Sequence, residues 1–464
     1  MKTILTVAAL FFSVTAYAAK TIVPSHEIVK TKNGAEIYYF KSPVIPLFQV
    51  ELVFDTGGSV LDPDDRSGLA FLSSIMAKKG VPGMDEDALS KKIDDFAAGI
   101  DINAEDEDLT VSAYGLNEHA SEILNLMFSQ LGTATFPERP FQRLKANHLD
   151  GIKQLTDSAS TLASHALNLI VFNGTPYARP GLGLRADIER ITLDEVKGLF
   201  PSLIRTDRLK VLVIGGKSRE EVLAPVIRGI ESLKCEACGR PVPEARARTL
   251  ERWKAPAGHV IVIDRPGISE AHVRMGMIGP SRHVPEYYDL VVAETILGGH
   301  FGSRMNDVIR EKMNLSYGIG AGFKFGWKVG AFHVSTSTRN AKADELLLAV
   351  NKLLATFADE GPTEQEVEMA KDYLTGSFPL ALQNLYSIAG TYFEGRTNGL
   401  EPQFLDEYQE RVSSVSRVSI RAALKKHLSL AQMSTVVVGD AKAITKEMKK
   451  ARIKYVVRQA GAYL

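Results

Sequence analysis

The sequence predicts an α+β protein made of two homologous domains, each a mostly antiparallel sheet packed with helices. Three observations lead to this prediction. The chain has 464 residues, which exceeds the roughly 250–300 residues that one hydrophobic core serves. Apolar residues recur with the periods of both strands and helices. The order of these elements in the first half of the chain returns in the second half, which indicates a duplication.

In the first half, alternating apolar residues predict strands, and apolar residues three and four apart predict helices. The first predicted helix, for example, has an apolar face at Leu69, Leu72 and Met76. The predicted strands cover residues 28–40, 47–55, 100–103 and 109–116, and the predicted helices cover 67–79, 85–97, 118–131 and 142–155. An apolar strand at 209–214 closes this half.

The second half repeats this order, with a closing strand at 435–438. Its predicted strands cover 260–264, 272–278, 316–325 and 330–336, and its predicted helices cover 285–297, 341–357 and 364–377. Two landmarks support the match: residues 49–52 align with 272–275 at an offset of 223, and Phe136-Pro137 aligns with Gly361-Pro362 at an offset of 225. Offsets this similar favour a duplicated domain over the alternative, a chance match.

The predicted domains are an N-terminal domain at residues 20–235 and a C-terminal domain at 259–464. Residues 236–258 lie between them and fit no predicted element. This segment contains Pro241, Pro243 and Pro256, and proline interrupts helices and strands. We therefore interpret it as a linker.

Residues 1–19 have the features of a secretory signal peptide. Lys2 is followed by a mostly apolar run at 4–14 and by Ala16-Tyr17-Ala18, which fits the small-x-small cleavage pattern. The alternative, a membrane anchor, needs about 20 apolar residues. No later segment is apolar enough to span a membrane either. We expect a periplasmic or secreted protein after cleavage of the signal peptide.

The composition excludes several classes of protein. Hydrophobic residues make up 45% of the chain and charged residues 24%, which is typical of a folded protein rather than a disordered one. The 55 basic and 55 acidic residues cancel, so we expect no nucleic-acid partner. Cys235 and Cys238 are the only cysteines. They are too few for a zinc ribbon, and a local disulfide is favoured over a redox role.

The sequence has no local motif for metal or nucleophilic catalysis. None of the ten histidines lies four residues from another, so a helical zinc motif with two histidines one turn apart is excluded. A site assembled from distant histidines stays open. There is no Gly-x-Ser-x-Gly elbow and no Walker loop. The acidic run at 105–108 is interpreted as a solvated turn, with calcium binding as the alternative.

One segment contains residues suited to binding a substrate. Residues 297–305 read Leu-Gly-Gly-His-Phe-Gly-Ser-Arg-Met, and Arg310 and Tyr317 follow. An arginine fork and a tyrosine hydroxyl are donors suited to a peptide carbonyl or to the oxyanion formed from it. We expect Tyr317 to start the next strand and fold back towards Arg310. The alternative is structural, with Arg310 in a salt bridge and Tyr317 packed on the core.

The mature chain resembles the pitrilysin/insulinase family of inverted-zincin peptidases, and its fold resembles that of mitochondrial processing peptidase. Three stretches carry the resemblance to the signature in the family's second half: residues 297–304, Ile309-Arg310-Glu311 and Leu315-Ser316-Tyr317-Gly318. In the family, the signature supplies an Arg/Tyr pair that reaches across to the catalytic half and holds the substrate. The resemblance therefore implies substrate binding by Arg310 and Tyr317.

The first half departs from the family pattern. Where the family has Gly-Leu-Ala-His-Phe-Leu-Glu-His-Met, residues 68–76 read Gly-Leu-Ala-Phe-Leu-Ser-Ser-Ile-Met. Phe71 and Ile75 replace the two zinc-binding histidines, and Ser74 replaces the catalytic glutamate. The third ligand, a glutamate, should fall at 148–153, which contains none. The resemblance thus implies no metal in this chain and no catalytic residue in the degenerate motif, because Ser74 is a poor general base without a partner.

These features together imply a non-catalytic subunit of a heterodimeric periplasmic zinc metallopeptidase. The implied partner is a homologous zinc-bearing peptidase subunit, the cofactor is zinc in that partner, and the substrate is a peptide. We expect no activity from this chain alone. Two alternatives remain, namely a peptide-binding or scaffold protein with no peptidase role, and an independent hydrolase with an unrecognised site.

Overall fold

Two six-stranded sheets, one from each half of the chain, organise the fold. The computed structural model describes residues 21–55, 58–155 and 157–463. The predicted signal peptide at 1–19 lies outside the described residues. Among the described residues, no helix has both the length and the apolar character needed to cross a membrane.

The first half begins with strands and carries most of its helices after the fourth strand of its sheet. Its elements are β1 (Glu27–Lys30), β2 (Glu36–Phe40), β3 (Leu47–Asp55), α1 (Leu69–Ala77), β4 (Gly80–Val81), β5 (Met84–Asp85), α2 (Glu86–Asp95), β6 (Gly99–Ala104), β7 (Asp108–Leu116), α3 (Ala120–Thr133), α4 (Glu138–Gln154), α5 (Ala159–Val171), α6 (Arg185–Ile188), α7 (Leu193–Leu203), β8 (Leu209–Ile214) and α8 (Leu223–Ser232).

The second half has a similar order but contains two π-helical turns, Thr295–Gly299 and Asn306–Lys312. Its other elements are β9 (Val260–Asp264), β10 (Glu270–Gly279), α9 (Tyr287–Glu294), β11 (Ile319–Lys324), β12 (Gly330–Arg339), α10 (Ala343–Glu360), α11 (Glu364–Ala381), α12 (Leu385–Thr397), α13 (Tyr408–Ser414), α14 (Arg417–His427), β13 (Ser434–Gly439), α15 (Ala441–Lys450) and β14 (Tyr455–Arg458).

The two sheets share one topology. The first has the order β1-β2-β8-β3-β7-β6, and the second, read from its opposite edge, has the order β14-β9-β13-β10-β12-β11. Strands β2-β8-β3-β7-β6 of the first sheet therefore correspond in order to β9-β13-β10-β12-β11 of the second. In each half, a strand from the end of the half is parallel to a strand near its start, as in the β2–β8 and β9–β13 pairs. The other pairs among these five strands are antiparallel. The predicted α+β class with two similar sheets is confirmed.

The sixth strands differ between the halves. In the first sheet, β1 and β2 form an antiparallel hairpin, which divides the single strand predicted at 28–40. In the second sheet, β14 comes from the C-terminal end and lies parallel to β9. The repeat therefore covers five of the six strands of each sheet, and the sixth strand comes from a different part of each half.

Each sheet packs one face on helices of its own half. The first core contains β3 and β7 side chains with α1, α3 and α7, and the second contains β10 and β12 side chains with α10 and α14. Phe54, Val111 and Phe200 are buried in the first core, and Phe332 and Phe357 in the second. These two faces account for the apolar periodicity that predicted most of the elements.

The other face of each sheet is covered by a helix from the opposite half. Helix α5 of the first half packs on β10 and β13 through Leu162 and Ala166. Helix α12 of the second half packs on the first sheet, where Tyr392 and Phe393 meet Tyr38. Both helices follow the long helix of their half, α4 or α11, so equivalent helices are exchanged.

The predicted linker, 236–258, is partly built into the fold. Trp253 is buried in the core that α5 shares with the second sheet, and its indole Nε1 donates to the Ala462 carbonyl oxygen at 3.3 Å. Arg248 is buried beside Asp187, at 3.2 Å. This segment therefore contacts both halves. The predicted domain boundaries remain a prediction.

Candidate functional site

Arg310 and Tyr317 line one open cleft of about 530 Å³, together with Glu270, Glu311, Asn314, Ser316, Ser337, Thr338 and Arg339. Arg310 lies in the second π-helical turn and Tyr317 in the bend that precedes β11. The prediction that Tyr317 starts the strand is wrong, because β11 begins at Ile319. The Tyr317 side chain does not pack on the core: its residue is 95% exposed.

Side chains of β12 hold the bend that carries Tyr317. Thr338 Oγ1 donates to the Leu315 carbonyl oxygen at 2.6 Å, and Thr336 Oγ1 lies 2.9 Å from the Gly318 carbonyl oxygen. Threonine hydroxyls thus bind the backbone on both sides of Tyr317. In a strand, the hydrogen bonds of the sheet would take their place. Side-chain hydrogen bonds of this kind compete with sheet formation, which explains why the strand starts late.

Asn306 joins the two parts of the site. Its amide Nδ2 donates to the Ile319 carbonyl oxygen at 3.0 Å and its Oδ1 accepts from the Ile319 amide at 3.3 Å. Nδ2 also lies 3.1 Å from Ser303 Oγ. Because Ile319 is on the outer edge of the second sheet, Asn306 takes the place of a neighbouring strand there. It links the turn that contains Arg310 to the bend that contains Tyr317.

The glycine-rich segment lies against the same edge. A Cβ at Gly298 would lie 2.4 Å from the Ala321 amide nitrogen, so this approach requires glycine. Further along, Glu294 Oε2 accepts from the Phe323 amide at 2.7 Å. Burial raises the pKa of Glu294 to about 7, although that hydrogen bond lowers it. The outer edge of β11 is therefore closed by residues 294–306.

Arg310 is held by two neighbours. Its Nε lies 3.3 Å from Glu311 Oε1, and its guanidinium carbon lies 4.2 Å from the centre of the Phe301 ring. A cation over an aromatic face at this distance is an attractive contact. With one third of its side chain exposed, Arg310 keeps donors available to a ligand in the cleft.

Phe301 and Asn306 are the residues of this site that sequence reasoning missed. The prediction treated 297–305 as a glycine-rich motif and gave no role to its aromatic side chain. The signal for Phe301 was a large aromatic residue in a glycine-rich segment that fits no predicted helix or strand. For Asn306, the sequence offers no such signal, since its partner Ile319 is brought near only by the fold.

In the first half, the positions that the resemblance gives to zinc ligands carry apolar contacts. Phe71 lies against His148 of α4, with ring centroids 4.9 Å apart. Ser74 is buried in α1 and its Oγ donates to the Phe71 carbonyl oxygen at 2.8 Å. Phe71 and Ile75 have no metal-binding atom, and His148 Nε2 lies 2.6 Å from the Leu182 carbonyl oxygen. These residues do not fit a zinc ion.

Cys235 and Cys238 are joined by a disulfide. Asp207 lies beside them and is the third member of the one group with metal-ligand spacing found in the part of the chain that the structure describes. Asp207 is bound by Arg205 Nη2 at 2.8 Å and by the Gly239 amide at 2.9 Å. The arrangement fixes the start of the segment between the halves.

Comparisons with known proteins relate this chain to an inactive type of peptidase domain. Residues 190–374 match the family model described as "Peptidase M16 inactive domain". The "Non-peptidase homolog YmxG" of Helicobacter pylori is 24% identical over 411 residues, which cover 88% of this chain and 92% of that protein. The predicted resemblance to an inactive member of the pitrilysin/insulinase peptidase family is confirmed.

Two solved structures have the same fold. The crystal structure of a peptidase M16 inactive domain from Pseudomonas fluorescens matches with a TM-score of 0.76 and 25% identity, and the match covers 90% of this chain and 98% of that one. A protease from Helicobacter pylori matches with a TM-score of 0.78 and 17% identity over 90% of this chain and 99% of that one. The likeness therefore extends over both sheets.

Proposed function

We propose that this chain, an inactive-type relative of the M16 peptidases, is the non-catalytic subunit of a heterodimeric zinc metallopeptidase that cleaves peptides. Its partner is a homologous subunit that carries the zinc-binding helix. The observation that carries this proposal is a contrast between the two halves. The first half has apolar side chains at Phe71 and Ile75, whereas the second half keeps Arg310 and Tyr317 together in an open cleft.

The roles of the two residues follow from their chemistry. The Arg310 guanidinium donates to a carbonyl oxygen of the bound peptide and stabilises the negative charge that develops on it. The Tyr317 hydroxyl, which is exposed on the bend before β11, donates a second hydrogen bond. The zinc site of the partner supplies metal-assisted hydrolysis, so this chain needs neither a metal nor a nucleophile of its own.

The rigid support of the cleft favours this role over a purely structural one. Arg310 is oriented by Phe301 and Glu311, and the bend of Tyr317 is tied to Thr336 and Thr338. A side chain that is 95% exposed contributes little to the core of this subunit. Arg310, which these contacts orient, is a preorganised donor of the kind that stabilisation of a transition state requires.

A second function, peptide binding or scaffolding without peptidase work, is favoured by one observation: a relative that covers most of the chain is named a non-peptidase homolog. The two proposals differ in one measurable respect. The heterodimer requires that turnover by the zinc subunit depend on Arg310, whereas a scaffold would act through binding alone.

We further propose that the protein works after export to the periplasm or the outside of the cell, because residues 1–19 have the pattern of a signal peptide. A disulfide between Cys235 and Cys238 suits an oxidising compartment. N-terminal sequencing of the exported protein tests this, and cleavage after Ala18 or Ala19 is expected.

The deciding experiment measures peptide hydrolysis and zinc content for this chain alone, for a zinc-helix homologue from the same organism alone, and for their equimolar mixture. The expected result is no bound zinc and no hydrolysis for this chain alone, and hydrolysis in the mixture well above that of the homologue. Zinc and activity in this chain alone would contradict the proposal. A 1:1 complex without any gain in hydrolysis would favour the scaffold.

A further inference from the structure

Phe301, which contacts Arg310, begins a surface whose solvent-exposed side the proposed function has not used. We call His300, Phe301, Met369 and Tyr373 the aromatic ledge. Phe301 is 69% exposed, Met369 59% and Tyr373 51%. His300 stacks on Tyr373 with ring centroids 5.1 Å apart, and Met369 lies one turn before Tyr373 on α11. The ledge thus combines two residues of α11 with His300 and Phe301, and Phe301 contacts Arg310 of the cleft.

The ledge is a fixed surface because its turn is tied down. The Gly302 amide donates to His300 Nδ1 at 3.0 Å, and the Ser303 amide donates to the His300 carbonyl oxygen at 3.1 Å. Asn306 Nδ2 lies 3.3 Å from the same carbonyl oxygen. Hydrogen bonds thus hold the turn that presents Phe301, and an ordered aromatic ring costs little entropy when it binds a ligand.

Phe301 has two faces with different surroundings. One face carries the Arg310 guanidinium, whose central carbon lies 4.2 Å from the ring centre. The exposed fraction of the residue leaves much of the rest of the ring open to solvent. Exposed clusters of aromatic residues, methionine and arginine are typical of binding surfaces. A ligand whose carbonyl is held by Arg310 would therefore place a neighbouring group on the ledge.

We propose that Phe301 sets the specificity of the cleft: it orients Arg310 through one face and takes a large apolar side chain of the bound peptide on the other. The substrate class is then peptides with an aromatic or large aliphatic residue next to the bond whose carbonyl Arg310 holds. This inference rests on the proposed function, since it takes the ligand of the cleft to be a peptide. It adds a positioning and specificity role to a residue outside the Arg/Tyr pair.

The test compares Phe301→Leu, which keeps an apolar side chain without an aromatic face, with Phe301→Tyr, which keeps that face. Tyr114→Leu, at an exposed tyrosine on β7, is the matched control. Each chain is assayed in the 1:1 complex on peptides that differ at one position, with Gly, Leu or Phe beside the scissile bond. We expect Phe301→Leu to lower kcat/KM about tenfold on the Leu and Phe peptides and less on the Gly peptide, whereas Phe301→Tyr and the control stay near wild type.

Two measurements on this chain alone separate the inference from the proposed function. NMR of the arginine Nε–H groups reports ring-current shifts, and the Arg310 signal is assigned by its loss in Arg310→Lys. The chemical shift of this signal should change in Phe301→Leu and stay the same in Phe301→Tyr. Fluorescence anisotropy with labelled peptides should give several-fold tighter binding of the Leu peptide than of the Gly peptide. Both results hold even where no zinc homologue restores hydrolysis.

Three outcomes would overturn the inference. An Arg310 signal unchanged in Phe301→Leu would remove the positioning role. An equal loss on all three peptides, or equal binding of the Leu and Gly peptides, would remove the specificity role. Weaker assembly of the 1:1 complex in Phe301→Leu, with unchanged peptide preference, would make the ledge a contact between subunits instead.

Discussion

At the scale of single residues, helix α1 combines an ordered backbone with side chains that cannot bind a metal. Helix α1 still begins after Gly68, whose φ of 92° favours glycine, and Asp62 still accepts from the amides of Gly68 and Ala70. Phe71, at the position where the resemblance implies a zinc-binding histidine, contacts His148.

The Arg/Tyr pair gives the first prediction. Arg310→Ala and Tyr317→Phe should each lower the turnover of the 1:1 complex by roughly 10²–10³, the usual cost of losing one donor to a developing oxyanion. Arg185→Ala, at a surface arginine paired with Glu189, and Tyr114→Phe are controls that should leave turnover unchanged. Purified complexes with equal subunit content make the comparison, and equal turnover in all of them would contradict the assignment.

Glu294 gives a prediction about pH. Burial raises its pKa to about 7 in the folded chain, above the unfolded value near 4.5, so the folded state holds the proton more tightly. The contribution of Glu294 to stability should therefore be full below about pH 4.5 and fall as the pH rises towards 7, by up to about 1.4 kcal/mol per pH unit. Urea unfolding at about pH 5 and about pH 8 measures this.

The Glu294→Gln variant is the control for that experiment. Glutamine keeps an oxygen for the Phe323 amide but does not titrate, so the variant should lose this part of the pH dependence. Asp62, which burial also brings to a pKa of about 7, shifts stability in the same direction in both proteins and cancels in the comparison. Identical pH profiles for the two proteins would show that Glu294 titrates normally.

Sequence reasoning located the candidate site but not its support. Arg310 and Tyr317 could be selected because a motif of fixed spacing surrounds them, and the two lie in one cleft. Their assigned role is still a prediction. The contact between Arg310 and Phe301 depends on the turn at 300–303, whose hydrogen bonds cannot be inferred from local spacing. Residues that act through the conformation of a turn are the ones that a sequence pattern leaves out.

At the scale of elements, the edge strand β11 shows how a side chain can replace a strand. Asn306→Ala removes both hydrogen bonds to Ile319 and leaves a buried amide and carbonyl without partners, which typically costs about 1–3 kcal/mol. We expect lower stability and faster hydrogen exchange at residues 315–321, measured by mass spectrometry.

Asn306→Asp is the companion variant, since aspartate keeps the acceptor for the Ile319 amide but loses the donor. Its exchange at 315–321 should lie between those of the wild type and of Asn306→Ala. Turnover of the complex should fall in parallel, because the same bonds hold the bend of Tyr317. Unchanged exchange in Asn306→Ala would mean that Thr336 and Thr338 suffice to hold the bend.

Elements with one buried face were predictable, and those packed in other ways were less so. Helices α3 and α10 have the expected apolar stripe and lie close to the predicted ranges. Helices α5 and α12, which pack on the sheet of the opposite half, were not predicted, and neither were α7, α8, α14 and α15, which pack in the core of their own half. The predicted helix at 285–297 continues into a π-helical turn. Within that turn, Gly298 packs closely on Ala321.

At the scale of the whole molecule, the exchange of α5 and α12 makes each half depend on the other. The shared core includes Leu162 and Ala166 of the first half, Ile261 and Val436 of the second, and Trp253 between them. Duplication predicts two similar halves but not this exchange, because the repeated sequence does not show which of the two sheets a helix packs on. Two sheets that share cores in this way should unfold together.

Leu162→Ala tests that dependence. Leu162 belongs to the first half by sequence, is fully buried, and packs on the sheet of the second half. Truncation of a buried leucine to alanine typically costs about 2–5 kcal/mol. We expect this loss in urea unfolding, with a single transition, and we expect faster hydrogen exchange in both sheets, at β6 and β7 as well as at β10 and β12.

Leu348→Ala, at a half-exposed leucine on α10, is the matched control and should change stability by less than about 0.5 kcal/mol. The contrast between the sheets decides the result. If Leu162→Ala speeds exchange only in β10 and β12, the halves open separately and the exchanged helix is a local contact. If both sheets respond equally, the duplicated halves form one cooperative unit, which would keep the Arg310 cleft in a fixed position relative to the first half.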